Sequence, residues 1–278
     1  MRQGARRPLV MGVLNVTPDS FSDGGLYATV DAAVARGLEL MAAGADVVDV
    51  GGESSRPGAE PVAAGVELGR VIPVIEALHA AAAGRPGPRV RLSVDTVKPE
   101  VATAALAAGA SLLNDISASQ FEVAAAAGAG WVAMHMQGQP RTMQESPHYE
   151  DVVGDVRSFL LERARLALQA GVREVWVDPG IGFGKTPAHN LSLLRHLGGL
   201  VEDAAAAGCA GVLVGTSRKR FLGVLAAGPG AEGPAPVADR AEGSLATEAA
   251  ALVAGVGMVR VHDVGATAQM ARLYGPAA

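Results

Sequence analysis

The residues able to do chemistry in this 278-residue chain fall at recurring places. Asn15, Asp49, Asp95, Asn114 with Asp115, His135, Asp178, Lys219, and Arg260 with His262 each stand at or just past the end of a short apolar run. Carboxylates and amides are suited to a polar ligand edge with mixed donors and acceptors. Lys219, Arg260 and His262 are suited to negative charge. Arg260 and His262, two residues apart, project to the same side of an extended segment and can meet an anion together. The chain has three Asn and three Lys in all, so two Asn and Lys219 in these positions are a concentration, not a scatter. Covalent catalysis has little support: the single cysteine, Cys209, sits in an Ala-rich stretch away from the other candidates. No Cys/His cluster offers a zinc site, and His79, His148, His189 and His196 read as surface or packing residues.

Such residues need a scaffold that brings the ends of many runs together. The apolar, β-branched runs predict strands at 9–16, 45–51, 90–96, 111–116, 130–136, 174–179, 211–216 and 258–262. Between them, helical periodicity predicts helices at 30–43, 62–82, 99–108, 121–127, 151–170, 190–206, 219–227 with 240–254, and 266–273. Gly44, Gly109, Gly128, Gly171 and Gly208 stand where helix stops are expected. Strict alternation implies a parallel sheet, and continuously apolar strands imply helices on both faces. The first strand lacks the G-x-G-x-x-G turn of a doubly wound dinucleotide fold. Eight units in one chain predict an α/β fold of the (β/α)8 TIM-barrel type, a single domain over 1–278 with its active site at the C-terminal rim of the strands. The stretches 83–88 and 228–239, rich in Ala, Gly and Pro, read as surface linkers.

Composition narrows the function. With 23 Lys+Arg against 28 Asp+Glu and a net charge of −5, the chain lacks the clustered basic surface that nucleic acid requires. Hydrophobic residues make up 49% and aromatics 4%, which fits a globular core and argues against disorder. No run of about 18 apolar residues suggests a membrane span. One cysteine and no signal-peptide pattern point to a reducing, cytoplasmic setting.

Read together, the segments resemble dihydropteroate synthase. The stretch 12–25 (GVLNVTPDSFSDGG) resembles the family's first signature and 49–59 (DVGGESSRPGA) its second. Then come SVDT at 93–96, NDIS at 114–117, MHMQG at 134–138, DPGIGFGKT at 178–186, GTSRK at 215–219 and RVHDV at 260–264, in family order. The resemblance spans the chain. It implies condensation of a pterin-methyl diphosphate with p-aminobenzoate, releasing pyrophosphate and giving 7,8-dihydropteroate. Asp178, Asn114, Asp95 and Lys219 would hold the pterin, with Met134 and Phe183 as apolar walls, and Lys219, Arg260 and His262 would face the diphosphate together with Ser55. Asn15 is the implied Mg2+ contact. Two rim loops, 17–28 and 53–60, are expected to move, bringing Asp23 toward the reacting centre and Ser55, Arg56, Pro57 and Arg220 to the aminobenzoate. Lys185 is expected to support the loop after the sixth strand and Lys98 to start a helix. Relatives of this kind are expected to be homodimers joined through their late helices.

The chain departs from the family pattern at Ala118, where a Gly and a longer loop are usual, at Arg220, where many relatives carry Ser, and at Ser55, which replaces Thr. Two other readings share the barrel: a non-catalytic pterin-binding paralogue, and a methyltetrahydrofolate-binding methyltransferase module that would need a corrinoid partner.

Overall fold

The computed structural model describes residues 7–17, 26–55, 58–84, 89–228 and 230–274. Eight strands form a closed parallel barrel in chain order: β1 (Leu9–Asn15), β2 (Val47–Gly51), β3 (Arg91–Asp95), β4 (Leu112–Asp115), β5 (Gly130–Met134), β6 (Val175–Asp178), β7 (Gly211–Val214) and β8 (Met258–Val261). Closure is explicit, since β8 pairs with β1 in parallel, Met11 opposite Arg260. Around the barrel run α1 (Leu26–Ala42), α2 (Ala64–Ala83), α3 (Pro99–Ala107), α4 (Phe121–Ala127), α5 (Val152–Gln169), α6 (Pro187–Arg195), α7 (Leu197–Ala206), α8 (Arg220–Ala227), α9 (Ala241–Val253) and α10 (Val264–Leu273).

The expected (β/α)8 architecture is found, and every strand lies within one or two residues of its sequence reading. The helix expected over 190–206 is two helices. Thr186 caps α6 in a capping box with His189, and Pro187 takes the first turn, where its missing N–H costs nothing. The helix ends at His196, which leaves helical geometry at φ −105°, ψ 12°, its Nδ1 lying 2.8 Å from the Ser192 carbonyl oxygen. The expected linker 228–239 carries a short 3-10 turn, Val237–Arg240, that leads into α9.

Inside the barrel, Met11, Val47, Leu112, Val132, Trp176, Leu213 and Met258 form one buried cluster. They close the middle of the barrel as a packed plug. Outward-facing residues such as Val10, Leu14, Val48, Val50, Val94 and Val177 join the helices in a second, larger core. Because strand side chains alternate, the residues two positions after the plug also face inward, one layer nearer the C-terminal rim. That layer reads Val13, Asp49, Asn114, Met134, Asp178, Gly215 and Arg260.

Candidate active site

The polar layer is tied together by side chains from four strands. Arg260 Nε donates to Asp49 Oδ2 and its Nη2 to Asp95 Oδ2, both at 2.7 Å. Asn114 Nδ2 donates to the same Asp49 oxygen at 2.9 Å. Asp49 is fully buried, and its Oδ1 has no hydrogen-bond partner among the described residues. Register explains the assembly: Asn15 lies opposite Gly51, Gly51 opposite Asp95, and Asp95 opposite Asn114. Gly51 leaves the space between its neighbours open: a Cβ there would stand 3.6 Å from Asp95 Cβ and 3.9 Å from Asn15 Oδ1.

This charge arrangement shapes ionisation. Burial raises the Asp95 carboxyl to about 7; Arg260 opposes the shift, and Asp49, Glu67 and Asp115 add to it. Arg260 remains a firm cation, since Asp49 and Asp95 more than reverse the effect of its own burial. Asn15 stands half-buried at the end of β1.

On the far side of the layer, Asp178 is buried, with Oδ1 accepting from the Gly180 N–H at 2.7 Å. Burial raises its pKa, against the pull of Lys219, the Gly180 N–H, Arg260 and Lys185. Lys219 precedes α8, donates from Nζ to the Ile181 carbonyl oxygen, and sits 4.8 Å above the Phe183 ring. Burial pushes the Lys219 ammonium down to about 8, with Asp178 resisting and Arg260 reinforcing. Met134, on β5, pairs in register with Asp178 and is buried.

The loop after β6 owes its path to Gly180, Gly182 and Gly184, all at positive φ. A Cβ on Gly180 would stand 1.8 Å from the His135 carbonyl oxygen, and one on Gly184 2.3 Å from that of Gln137. Lys185 pins the same loop from below, within 3.0 Å of the Gly180 and Phe183 carbonyl oxygens and of His135 Nδ1. That is the supporting role expected of Lys185. Burial and the adjacent Lys185 push the His135 imidazole down to about 3, so it is neutral.

Not every candidate joins the layer. Asp115, one residue past Asn114, faces the other way and organises the loop after β4. It accepts from the backbone N–H groups of Ser117, Ser119 and Gln120 at 2.7 to 2.9 Å, and from Trp131 Nε1 at 3.2 Å. Ala118 in that loop holds φ 49°, the conformation for which a Gly is suited. His262 lies beyond β8, its N–H donating to Ser217 Oγ at 3.2 Å, while the Arg260 guanidinium points at Asp49 and Asp95. Arg220 is exposed at the start of α8, and Ser55 is half-buried in the loop after β2. Asp23, Arg56 and Pro57 lie outside the described residues. Asp49, the hub of the cluster, stood among the candidates at the strand ends but had no expected role; its signal is a carboxylate inside the otherwise apolar run Val47–Gly51.

A cavity of 530 Å³ opens at the opposite end of the barrel, among Arg7, Leu9, Asp46, Arg91 and Arg272. It shares no residue with the polar layer, which is where side chains from separate strands converge.

The chain matches the model of the pterin binding enzyme family over residues 11–262. It is 42% identical to the dihydropteroate synthase of Escherichia coli, across 96% of the chain and 90% of that protein. The chain belongs to the dihydropteroate synthase family. Among solved structures, the Xanthomonas albilineans dihydropteroate synthase with 4-aminobenzoic acid superposes with a TM-score of 0.84 at 47% identity, covering 96% of this chain and 92% of that one. The folate synthesis bifunctional protein of Arabidopsis thaliana is 41% identical, but the chain, 95% of it aligned, spans only 48% of that longer protein. The polar layer lies toward the C-terminal ends of the strands of this barrel, the end that carries the active site in barrels of this kind.

Proposed function

We propose that the chain condenses (7,8-dihydropterin-6-yl)methyl diphosphate with p-aminobenzoate, giving 7,8-dihydropteroate and pyrophosphate. The observation that carries the division of labour is the inward layer itself, where the Asp178 carboxylate and the Asn114 amide stand above an apolar plug. A pterin edge presents amino and ring N–H donors. Asp178 accepts them, and the Asn114 carbonyl and the second oxygen of Asp95 accept further along the edge. Met134 and Phe183 flank the ring, and Lys219 supplies a donor on the carbonyl side.

The leaving pyrophosphate needs cations and donors aimed at it. Arg260 holds one guanidinium nitrogen, Nη1, outside its bonds to Asp49 and Asp95; His262 follows it just past β8, and Lys219 lies beyond the neighbouring β7, directly before α8. Asn15 fits Mg2+: its side-chain oxygen is a hard ligand at the rim, and Mg2+ keeps most of its waters and substrate oxygens instead of demanding a full protein cage. Bound there, the ion would neutralise charge on the departing diphosphate. The C–O bond to the pterin methylene breaks as pyrophosphate leaves, the ring delocalises the positive charge, and the aromatic amine attacks the methylene and then sheds a proton. The protein supplies no nucleophile.

The second substrate enters above the pterin. Ser55, Arg56 and Pro57 of the loop after β2 and Arg220 of α8 hold the aminobenzoate, its carboxylate toward the cations, with Asp23 approaching from the loop after β1. We read residues 1–278 as one domain working in the cytoplasm as a homodimer joined through late helices.

Pyrophosphate release measured in a coupled assay tests the whole reading. Release that requires both substrates and Mg2+ supports it. Pterin binding without release would mark a non-catalytic paralogue, and methyl transfer to a corrinoid protein would mark the methyltransferase alternative.

A further inference from the structure

The loop after β2 is anchored by an ionic cluster outside the polar layer, with Glu67 buried and Glu53 and Lys98 half-buried. Lys98, three residues past Asp95, reaches back with Nζ to Glu53 Oε2 and lies 2.5 Å from Glu67 Oε2 on α2. Glu67 is completely buried, and its other oxygen has no hydrogen-bond partner among the described residues. Glu53 also accepts from the Val62 N–H at 3.4 Å, closing the two stems of the loop on each other. Arg70 donates to the Gly52 carbonyl oxygen at 2.8 Å, and Gly52 is pressed so closely on α2 that a Cβ would stand 2.7 Å from Val71 Cγ2 and 2.8 Å from Glu67 Cγ.

This is a poor arrangement if stability were its only use. One ammonium serves two carboxylates, leaving surplus negative charge and an unpartnered oxygen in the interior, where apolar packing would do better. What the cluster does supply is direction. Glu53 immediately precedes Ser54 and Ser55, so its hold fixes where the loop leaves the barrel. Burial works against the Lys98 ammonium, but its hydrogen bonds to Glu53 and Glu67 raise its pKa above the ordinary value, so Lys98 is held as a cation.

We propose that Lys98 is a positioning residue for the aminobenzoate: by tying Glu53 to the buried Glu67 it sets the loop that carries Ser55 at the height the second substrate needs. This rests on the reading that the loop holds p-aminobenzoate. The test uses the full chain and steady-state kinetics with both substrates. Lys98→Met alone leaves Glu67 buried without a partner and can unfold the protein, so the informative variant is Lys98→Met with Glu67→Gln, alongside Lys98→Arg.

In the double variant KM for p-aminobenzoate should rise about tenfold, with kcat within about threefold and KM for the pterin diphosphate unchanged. Deuterium uptake over residues 53–62 should rise while the melting temperature holds, and Lys98→Arg should restore most of the KM. An unchanged KM with unchanged uptake overturns the proposal, as does a parallel loss for both substrates together with melting temperature. Arg56→Ala separates the two readings. If that change leaves KM for p-aminobenzoate untouched, the loop does not bind the substrate; if it raises KM while the double variant does not, the loop binds but Lys98 does not position it.

Discussion

Arg260 and Asp49 are 211 residues apart in sequence and meet at 2.7 Å across the barrel, Nε to Oδ2, where β8 and β2 turn their side chains inward. The pair sets the guanidinium in place before any substrate arrives. Breaking one partner of a buried ion pair costs more than the pair itself contributes, because the other charge is stranded. Asp49→Ala should therefore lower kcat/KM by at least about a hundredfold. It should also lower stability by about 3 kcal/mol, measured by urea unfolding. Wild-type turnover in a folded Asp49→Ala protein would remove Asp49 from the site.

Asp178 should decide pterin affinity. Asp178→Ala removes a carboxylate that accepts from the ligand edge, and Asp178→Asn replaces two acceptors with one acceptor and a misdirected donor. Calorimetry with a pterin should show binding weakened by about a hundredfold or more in both variants. Unchanged affinity in either would sink the assignment.

Lys219 gives the pH profile a defined alkaline limb. Its ammonium is pushed down to about 8, chiefly by burial, so the cation is intact at neutral pH and is lost as pH rises through that value. We expect kcat/KM to fall above about pH 8. Lys219→Arg keeps the charge and should shift that limb upward, even if the overall rate drops. A profile flat to pH 10 in the wild type would separate Lys219 from turnover.

Gly180 should tolerate no side chain. At φ 63° with the His135 carbonyl oxygen 1.8 Å from a would-be Cβ, Gly180→Ala must move the loop bearing Phe183 away from β5. About 3 kcal/mol or more of stability should be lost in urea unfolding, with pterin binding impaired in parallel. Gly198, in α7 with open space where its Cβ would stand, is the control; alanine there should gain about 0.5 kcal/mol.

Glu248 offers a pH test outside the polar layer. It is 2% exposed on α9, accepting from Thr267 Oγ1 of α10 at 2.8 Å, and burial raises its carboxyl to about 7 despite that bond, with Asp263 adding to the shift. The folded protein therefore holds the proton more tightly than the unfolded chain does. The associated stability is fully present below the ordinary carboxyl range and is lost as pH climbs through about 7. Glu248→Gln should remove this loss, gaining on the order of 2 kcal/mol at pH 8 relative to wild type and little at pH 4, with pyrophosphate release unaltered.

The strands were legible because each is a short apolar run bounded by polar residues, and the rim was legible because those boundaries carried the scarce Asn and Lys. The break at His196 was not, since Ala and Leu continue the helical period on both sides while His196 itself turns out of helical geometry. Asp49 was visible as a carboxylate in an apolar strand, yet its weight comes from Arg260 and Asn114, partners set by barrel closure and not by local pattern. Lys98 looked like the start of a helix, and it is the extended residue just before α3; its ties to Glu53 and Glu67 cross 45 and 31 residues and leave no periodic trace. Ala118 in a left-handed conformation likewise shows why a glycine suits that turn, something composition alone does not convey.

The packed plug of Met11, Val47, Leu112, Val132, Trp176, Leu213 and Met258 makes the barrel a vessel with one mouth. Whatever lies on its floor can depart only past whatever occupies the neck. Adding p-aminobenzoate, or an inert mimic of it, should therefore slow the escape of a bound pterin, the reverse of what competition for a shared position would produce.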